Sequence, residues 1–356
     1  MKQSRDAYFK QVMDGSDRSI AAGALRIAAS CAEPFYAVTM RIRNALYEAK
    51  ILPIHRLGRP TISVGNITMG GTGKTPVVRW LAESLKDKRP CVLLRGYKST
   101  AAGMSDEQAL LADGTVPAIA DGDRIRGAAA ALEGHPETKV FILDDAMQHR
   151  RAARDFEMVL IHAREPFGGG GVFPRGMLRE PLSGLGRADA VVVTHADEVD
   201  PAEIAKISGV IQKYNQRAAI FHADHVIQEL RPAAGESMPI QSLAGKKYFA
   251  FCGVGSPASF FWRLGTAGGV CVGTREFGDH HDYRERDVDE IVAEATSAGA
   301  EMLIVTEKDW VKLSRLSKKV SMPIWRAELA LRFWAGEGER LLEMMQKTLA
   351  SGIAHG

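Results

Sequence analysis

Cysteine is scarce in this chain, and the four present (Cys31, Cys91, Cys252, Cys271) show no C-x-x-C and no zinc-ligand spacing. That argues against a disulfide framework; the expected state is buried free thiols in a reducing compartment, with Cys91 and Cys252 inside apolar strand-like runs. An excess of one charge is also missing: 46 Lys and Arg against 43 Asp and Glu leave only +3, so the molecule as a whole is not an electrostatic nucleic-acid binder. No apolar run is long enough to span a bilayer. The mixed-charge N-terminus lacks the apolar stretch of a cleavable signal. Repeats and low-complexity tracts are absent. What remains is ordinary globular composition, 46% hydrophobic and 25% charged, and 356 residues make two domains the natural expectation.

One further shortage is informative. Residues 60–80 read PTISVGNITMGGTGKTPVVRW, a short β-type run, a glycine-rich turn and an apolar-periodic helix. This is the setting of a phosphate-binding loop, yet Thr68 stands where the G-x-x-x-x-G-K-S/T pattern has its first glycine. The rest agrees. Thr68, Met69, Gly70, Gly71, Thr72 and Gly73 would curl so that successive N–H groups face phosphate oxygens at a helix N-terminus. Lys74 would reach the β- and γ-phosphates of ATP, and Thr75 would place its hydroxyl on Mg²⁺. Pro76 is harmless so early in a helix.

Downstream, strands alternate with helices: a helix over 74–87, a strand at 91–94, a helix over 123–132, and strands at 140–143, 158–161 and 190–194. The stretch 165–187, rich in Gly and Pro, reads as a mobile connector or lid. A second block begins near 228 and continues the alternation to a strand at 323–325. The expected fold is therefore α/β with largely parallel sheets: a P-loop NTPase-like α/β/α sandwich (59–225) and a second, smaller α/β lobe (226–335). An N-terminal helical segment (1–58) and a C-terminal helix (336–356) flank them. The N-terminal segment holds an apolar stripe among basic residues, ten Lys and Arg against five Asp and Glu in 1–60, a balance of 10 − 5 = +5. Such a helix suits an anionic membrane surface; packing on the protein's own core is the alternative.

Candidate chemistry collects at strand ends. Asp144 closes an apolar strand, where phosphate-loop proteins place the carboxylate that bears Mg²⁺; Asp145 could share that metal. Gln148 and His149 follow in the same cluster. Asp106 sits in an N-cap box and would serve either as a helix-start acid or as the base that takes an acceptor hydroxyl's proton. His280 and His281 form a second polar knot, and a histidine beside Asp106 would orient it. Lys308 and Asp309 follow a further strand. Arg124 and Glu180 complete the candidate set.

Assembled, these stretches resemble the tetraacyldisaccharide 4'-kinase family. The matching segments are GNITMGGTGKTP (65–76), RGY (95–97), SDEQALL (105–111), DDAMQHR (144–150), PRGMLREPLS (174–183), ADAVVVTHAD (188–197), FGDHHDY (277–283) and VTEKDWVKL (305–313). In that family the loop has this same shortened form, so Thr68 is no anomaly. The resemblance implies a kinase that moves the γ-phosphate of ATP to the 4'-hydroxyl of a tetraacyl glucosamine disaccharide 1-phosphate, giving lipid IVA. It implies Asp106 as catalytic aspartate, partnered by one of His280 and His281, and Asp144 with Asp145 as the Mg²⁺ pair. It also implies a peripheral enzyme on the cytoplasmic face of the inner membrane; the basic N-terminal surface and the basic 174–187 segment (Arg175, Arg179, Arg187) would then meet the anionic glycolipid. No obligatory protein partner is evident. Two rivals remain: a regulatory nucleotide-switch ATPase and a soluble-metabolite kinase. Thr194-His195-Ala196-Asp197 lacks the Asn and Lys of the guanine-reading N-K-x-D run, which disfavours a GTPase.

Overall fold

The computed structural model describes residues 12–13, 16–96, 116–232, 235–279, 281–314, 316 and 320–353. The chain divides into two compact units, one comprising residues 225–330, the other most of the remainder, including both terminal helices. The boundaries fall within two strands, after Asp224 and after Ala330.

The larger unit opens with α1 (Ile20–Glu48), capped by Ser19, whose hydroxyl accepts from the Ala22 N–H at 3.2 Å. The chain continues through β1 (Thr61–Asn66), α2 (Lys74–Ser84), β2 (Pro90–Leu94), β3 (Ala118–Ala120), α3 (Arg124–Gly134), β4 (Val140–Asp144), β5 (Phe156–His162), β6 (Ala190–Thr194), α4 (Pro201–Tyr214) and β7 (Ala219–Pro232). The strand order is β7-β6-β5-β1-β4-β2-β3, all neighbours parallel. Strands β1, β4, β5 and β6 are buried along their whole length, as a sheet covered on both faces requires. Their alternation sorts the faces. Val140 and Ile142 of β4, with Met158 and Leu160 of β5, pack under Val77, Val78 and Leu81 of α2. Phe141 and Leu143 turn the other way, against Ala128 and Ala131 of α3. Val159 and Ile161, with Val191 and Val193, meet Ile204, Ile207 and Ile211 of α4. The result is the expected three-layer α/β/α arrangement with β1 at its centre.

In the smaller unit follow β8 (Met238–Pro239), β9 (Lys247–Cys252), α5 (Pro257–Gly265), β10 (Val270–Glu276), α6 (Glu285–Ser297), β11 (Met302–Thr306), α7 (Glu307–Leu313) and β12 (Ile324–Phe333). Strands β10-β9-β11-β12 are parallel. Alternate residues again separate two cores: Tyr248, Ala250 and Ile304 face Phe260 and Leu264 of α5, whereas Phe249, Phe251 and Val305 face Ile291 of α6 and Trp310 of α7. The last helix, α8 (Glu337–Ile353), returns to the larger unit, where Leu341 and Met345 join the α2 side of the core.

Two expectations are overturned. The 165–187 stretch is no loose connector: Val172, Leu178 and Leu185 belong to the core beside β5 and β6, and Glu180 is fully buried. Its glycines serve close approach; a Cβ at Gly176 would lie 2.2 Å from the Gly171 carbonyl oxygen. Cys91 and Cys252 are buried free thiols, but Cys31 and Cys271 are exposed.

Candidate active site

Strand β1 delivers the chain to the middle of the sheet and stops at Asn66, whose side chain is fully buried. The loop that follows ends at Gly73 in a left-handed conformation (φ 74°), which caps α2 without a Cβ penalty, and Gly70 (φ 133°) likewise needs glycine. Lys74 is thus the first residue of α2 and Thr75 the second. The Lys74 ammonium donates to Asn66 Oδ1 at 3.3 Å and pairs with Asp145 Oδ1 at 3.3 Å. Asn66 Nδ2 in turn donates to the Thr68 carbonyl at 3.0 Å. From the far side the Thr194 hydroxyl, at the end of β6, donates to the Thr72 carbonyl at 3.0 Å. The loop is held at both ends before any phosphate arrives.

Asp144 is buried at the end of β4, and Asp145 turns away from it with φ 51°, an unfavourable conformation that aims its carboxylate at cations. Besides Lys74 it accepts from Arg179 at 2.7 Å, with Arg95 at 3.9 Å. Burial acts to raise its pKa, but Lys74 and Arg179 outweigh that, and the carboxyl ends below the ordinary 3.8. Buried Arg124 donates to the backbone carbonyls of Leu94 (2.5 Å), Asp121 (2.7 Å) and Asp144 (2.8 Å), so it staples the ends of β2 and β4. Gln148 Nε2 bridges the Asn66 carbonyl (3.0 Å) and Glu180 Oε1 (2.9 Å). His149 is half-buried beside them; burial first, then Arg124 and Arg154, depress its pKa below 6.5 and keep the ring neutral.

The structure therefore brings together Thr68, Met69, Gly70, Gly71, Thr72, Gly73, Lys74, Thr75, Asp144, Asp145, Gln148, His149, Arg124 and Glu180 in one unit. His281 belongs to the other unit, where its Nε2 pairs with Asp287 at 3.0 Å and its ring stacks on Phe277 at 4.6 Å. Asp309 is spent locally, accepting from the Gly253 N–H (3.0 Å) and the Thr306 hydroxyl (2.6 Å). Asp106 and His280 lie outside the described residues. Among the described residues no cluster of three or more His, Cys, Asp or Glu could hold a metal.

The family model for tetraacyldisaccharide-1-P 4'-kinase (LpxK) matches residues 26–350. The chain belongs to that family. Curated LpxK relatives include the tetraacyldisaccharide 4'-kinases of Halothermothrix orenii, 35% identical over 88% of this chain and 90% of the relative, and of Geobacter metallireducens, 38% identical over 81% and 88%. Among solved structures, the "apo" form of LpxK from Aquifex aeolicus in complex with ATP superposes with a TM-score of 0.71 at 29% identity, covering 91% of this chain and 99% of that one.

Sequence reasoning saw three arginines as charges but not their partners. Arg179 and Arg187 are largely enclosed and pair with Asp145 (2.7 Å) and Glu180 (2.9 Å), whereas Arg175, paired with Glu33 at 3.0 Å, keeps about half of its side chain exposed. Asn66 and Thr194 were missed as loop supports. The signal available was that each is the polar residue closing a strand buried along its whole length.

Proposed function

We propose that this chain is a tetraacyldisaccharide 4'-kinase, transferring the γ-phosphoryl group of ATP to the 4'-hydroxyl of tetraacyldisaccharide 1-phosphate to give lipid IVA. One observation carries most of the weight: Lys74 opens α2 after a glycine loop and is held between Asn66 and Asp145. Loop N–H groups and the Lys74 ammonium would neutralise the phosphates of ATP as charge develops on the departing ADP oxygen. Asp106 takes the proton of the 4'-hydroxyl as that oxygen bonds phosphorus, and ADP leaves from the opposite side. One of His280 and His281 would support that base, as the family resemblance implies; of the two, His281 pairs with Asp287 inside its own unit.

The donors suit Mg²⁺. The Thr75 hydroxyl in the first turn of α2 and the buried Asp144 carboxylate at the end of β4 form an oxygen-only set of the kind a hard cation takes together with phosphate oxygens. When bound, the ion would supply further positive charge at the phosphates. Asp145, already engaged by two cations, is better placed to hold Lys74 than to bind metal.

The acceptor is an anionic glycolipid, and α1 offers it a surface. Ile20, Ile27, Phe35, Val38 and Ile42 are exposed, spaced seven, eight, three and four residues apart along one side of the helix. Exposed Arg41 and Lys50 lie near that stripe. No described helix is long and apolar enough to cross a membrane; the exposed stripe with basic residues near it supports peripheral seating on the face that ATP reaches, the cytoplasmic face of the inner membrane.

The deciding experiment supplies γ-labelled ATP and purified tetraacyldisaccharide 1-phosphate. Label should pass to the lipid with the wild-type chain and not with Lys74→Ala, whereas Asp106→Asn should bind ATP normally and turn over poorly. Steady ATP hydrolysis with no labelled lipid would reject the kinase in favour of a regulatory ATPase.

A further inference from the structure

The side of α1 opposite the exposed stripe is bonded to the site. Glu33 accepts from the Val172 N–H at 2.9 Å, the Tyr36 hydroxyl donates to the Arg179 carbonyl at 3.0 Å, and Asn44 Nδ2 donates to Glu180 Oε2 at 3.0 Å. The partners of Tyr36 and Asn44 both lead on to the phosphate loop, Arg179 through Ile67 and Asp145 and Glu180 through Gln148, and the Asn44 contact is the one made from side chain to side chain. Glu180 also accepts from Gln148 Nε2 at 2.9 Å and, through both oxygens, from Arg187 at 2.9 Å. The same Gln148 amide donates to the Asn66 carbonyl at 3.0 Å, and Asn66 Oδ1 holds Lys74. We propose that Asn44 is a positioning residue for phosphoryl transfer, acting from α1 through Glu180, Gln148 and Asn66 on Lys74; this rests on the kinase assignment of the site.

The physical reason lies in the burial of Glu180. A carboxylate with no exposed surface must take its stabilisation from fixed donors, and among the described residues it has three: Asn44, Gln148 and Arg187. It cannot relax by retreating, for even a Cβ at Gly184 would lie 2.5 Å from Oε2. Without Asn44, Oε2 keeps only the Arg187 guanidinium, and the carboxylate turns toward it. Oε1 then loses its alignment with Gln148, and Gln148 loses its hold on the Asn66 carbonyl. Two further bonds join α1 to the same turn: the Arg43 guanidinium donates to the Gln148 carbonyl at 2.8 Å, and the Asn44 carbonyl accepts from Arg150 at 2.9 Å. Helix α1 is thus wired to the loop side of the sheet from one flank while its other flank stays apolar and exposed.

The test compares Asn44→Ala, Gln148→Ala and the double variant in the full chain, reading ATP Kd without acceptor, and kcat/KM with tetraacyldisaccharide 1-phosphate. Each single change should weaken ATP binding about tenfold, as loss of a hydrogen bond to a buried charge does. The double variant should be no weaker than the worse single one, because both cut the same chain. Thr39→Ala, on the same helix but exposed and bonded only to the Phe35 carbonyl, should match the wild type. Asn44→Asp keeps the size and sets one carboxylate against another, so its loss should be at least as large even if Asn44→Ala folds poorly. Unchanged ATP affinity in both Asn44 variants, or losses that simply multiply in the double, would overturn the proposal and leave Asn44 a helix-packing residue. Failure of the wild type to phosphorylate the lipid, with ATP affinity still responding as described, would instead sink the kinase assignment alone.

Discussion

A single residue, Asp145, decides how Lys74 is presented. Left-handed at φ 51° and directly after the strand-end Asp144, it faces Lys74 at 3.3 Å and Arg179 at 2.7 Å. Removing its charge while keeping its shape leaves both cations unneutralised and frees Lys74 to swing from Asn66. Asp145→Asn should therefore lower kcat/KM for ATP by about 10- to 100-fold, the range expected for charge-assisted bonds in a partly dry site. The same substitution has a pH signature. The folded-state pKa of Asp145 is depressed, so its contribution to stability is fully present above the unfolded value of 3.8 and is lost as pH falls from there through the folded pKa. In acid melts the wild type should lose stability faster than Asp145→Asn below about pH 4. Parallel acid limbs would show that the carboxylate carries no net stabilisation from its two partners.

At the scale of elements, what sequence disclosed and what it hid follow one physical rule. Lys74, Thr75, Asp144 and Gln148 were legible because each lies at a fixed step from a strand end or helix start, and apolar periodicity marks those points. Arg179 was visible as a charge but not as a partner: its contact with Asp145 joins residues 34 apart, and no local pattern encodes such a pairing. The 165–187 stretch misled for a related reason. Its glycines suggested looseness, yet they permit tight crossings that tie it to the phosphate loop, where the Arg179 N–H donates to the Ile67 carbonyl at 2.7 Å and the Met69 N–H to the Met177 carbonyl at 2.6 Å. Strand β7 was likewise hidden; its HADH centre, residues 222–225, lacks the apolar run of its neighbours. Strand β1 and the turn after β4 touch at Gly65, where a Cβ would fall 2.6 Å from the Met147 Cβ and 2.7 Å from its backbone nitrogen. Gly65→Ala should cost about 1–3 kcal/mol by overpacking, measured as a fall in Tm. It should also weaken ATP binding, because the displaced turn carries Asp145 and Gln148. An unchanged Tm would mean that the turn yields without cost.

For the whole molecule, the question is what the exposed stripe of α1 meets. Ile20 is 94% exposed, Phe35 76% and Ile27 69%, on a helix whose other side is fastened to the protein by Glu33, Tyr36 and Asn44. A helix so fastened cannot roll its apolar side inward, which leaves an outside phase to cover it. An acyl-chain boundary with anionic headgroups meets both demands: it takes the apolar side chains, and it attracts the +5 balance of residues 1–60. The full-length chain should therefore sediment with vesicles containing anionic phospholipid at low salt and less with neutral vesicles. Raising the salt should release only part of it, since screening removes the charge attraction and leaves the apolar insertion. Ile27→Glu with Phe35→Glu should reduce the bound fraction about tenfold or more, each position forfeiting roughly 1.5–3 kcal/mol of burial. The doubly substituted chain should keep its ATP Kd, because neither residue touches the Asn44 relay. Equal sedimentation of wild type and variant would mean that the stripe is not the membrane contact, and full release by salt would reduce the attachment to charge alone.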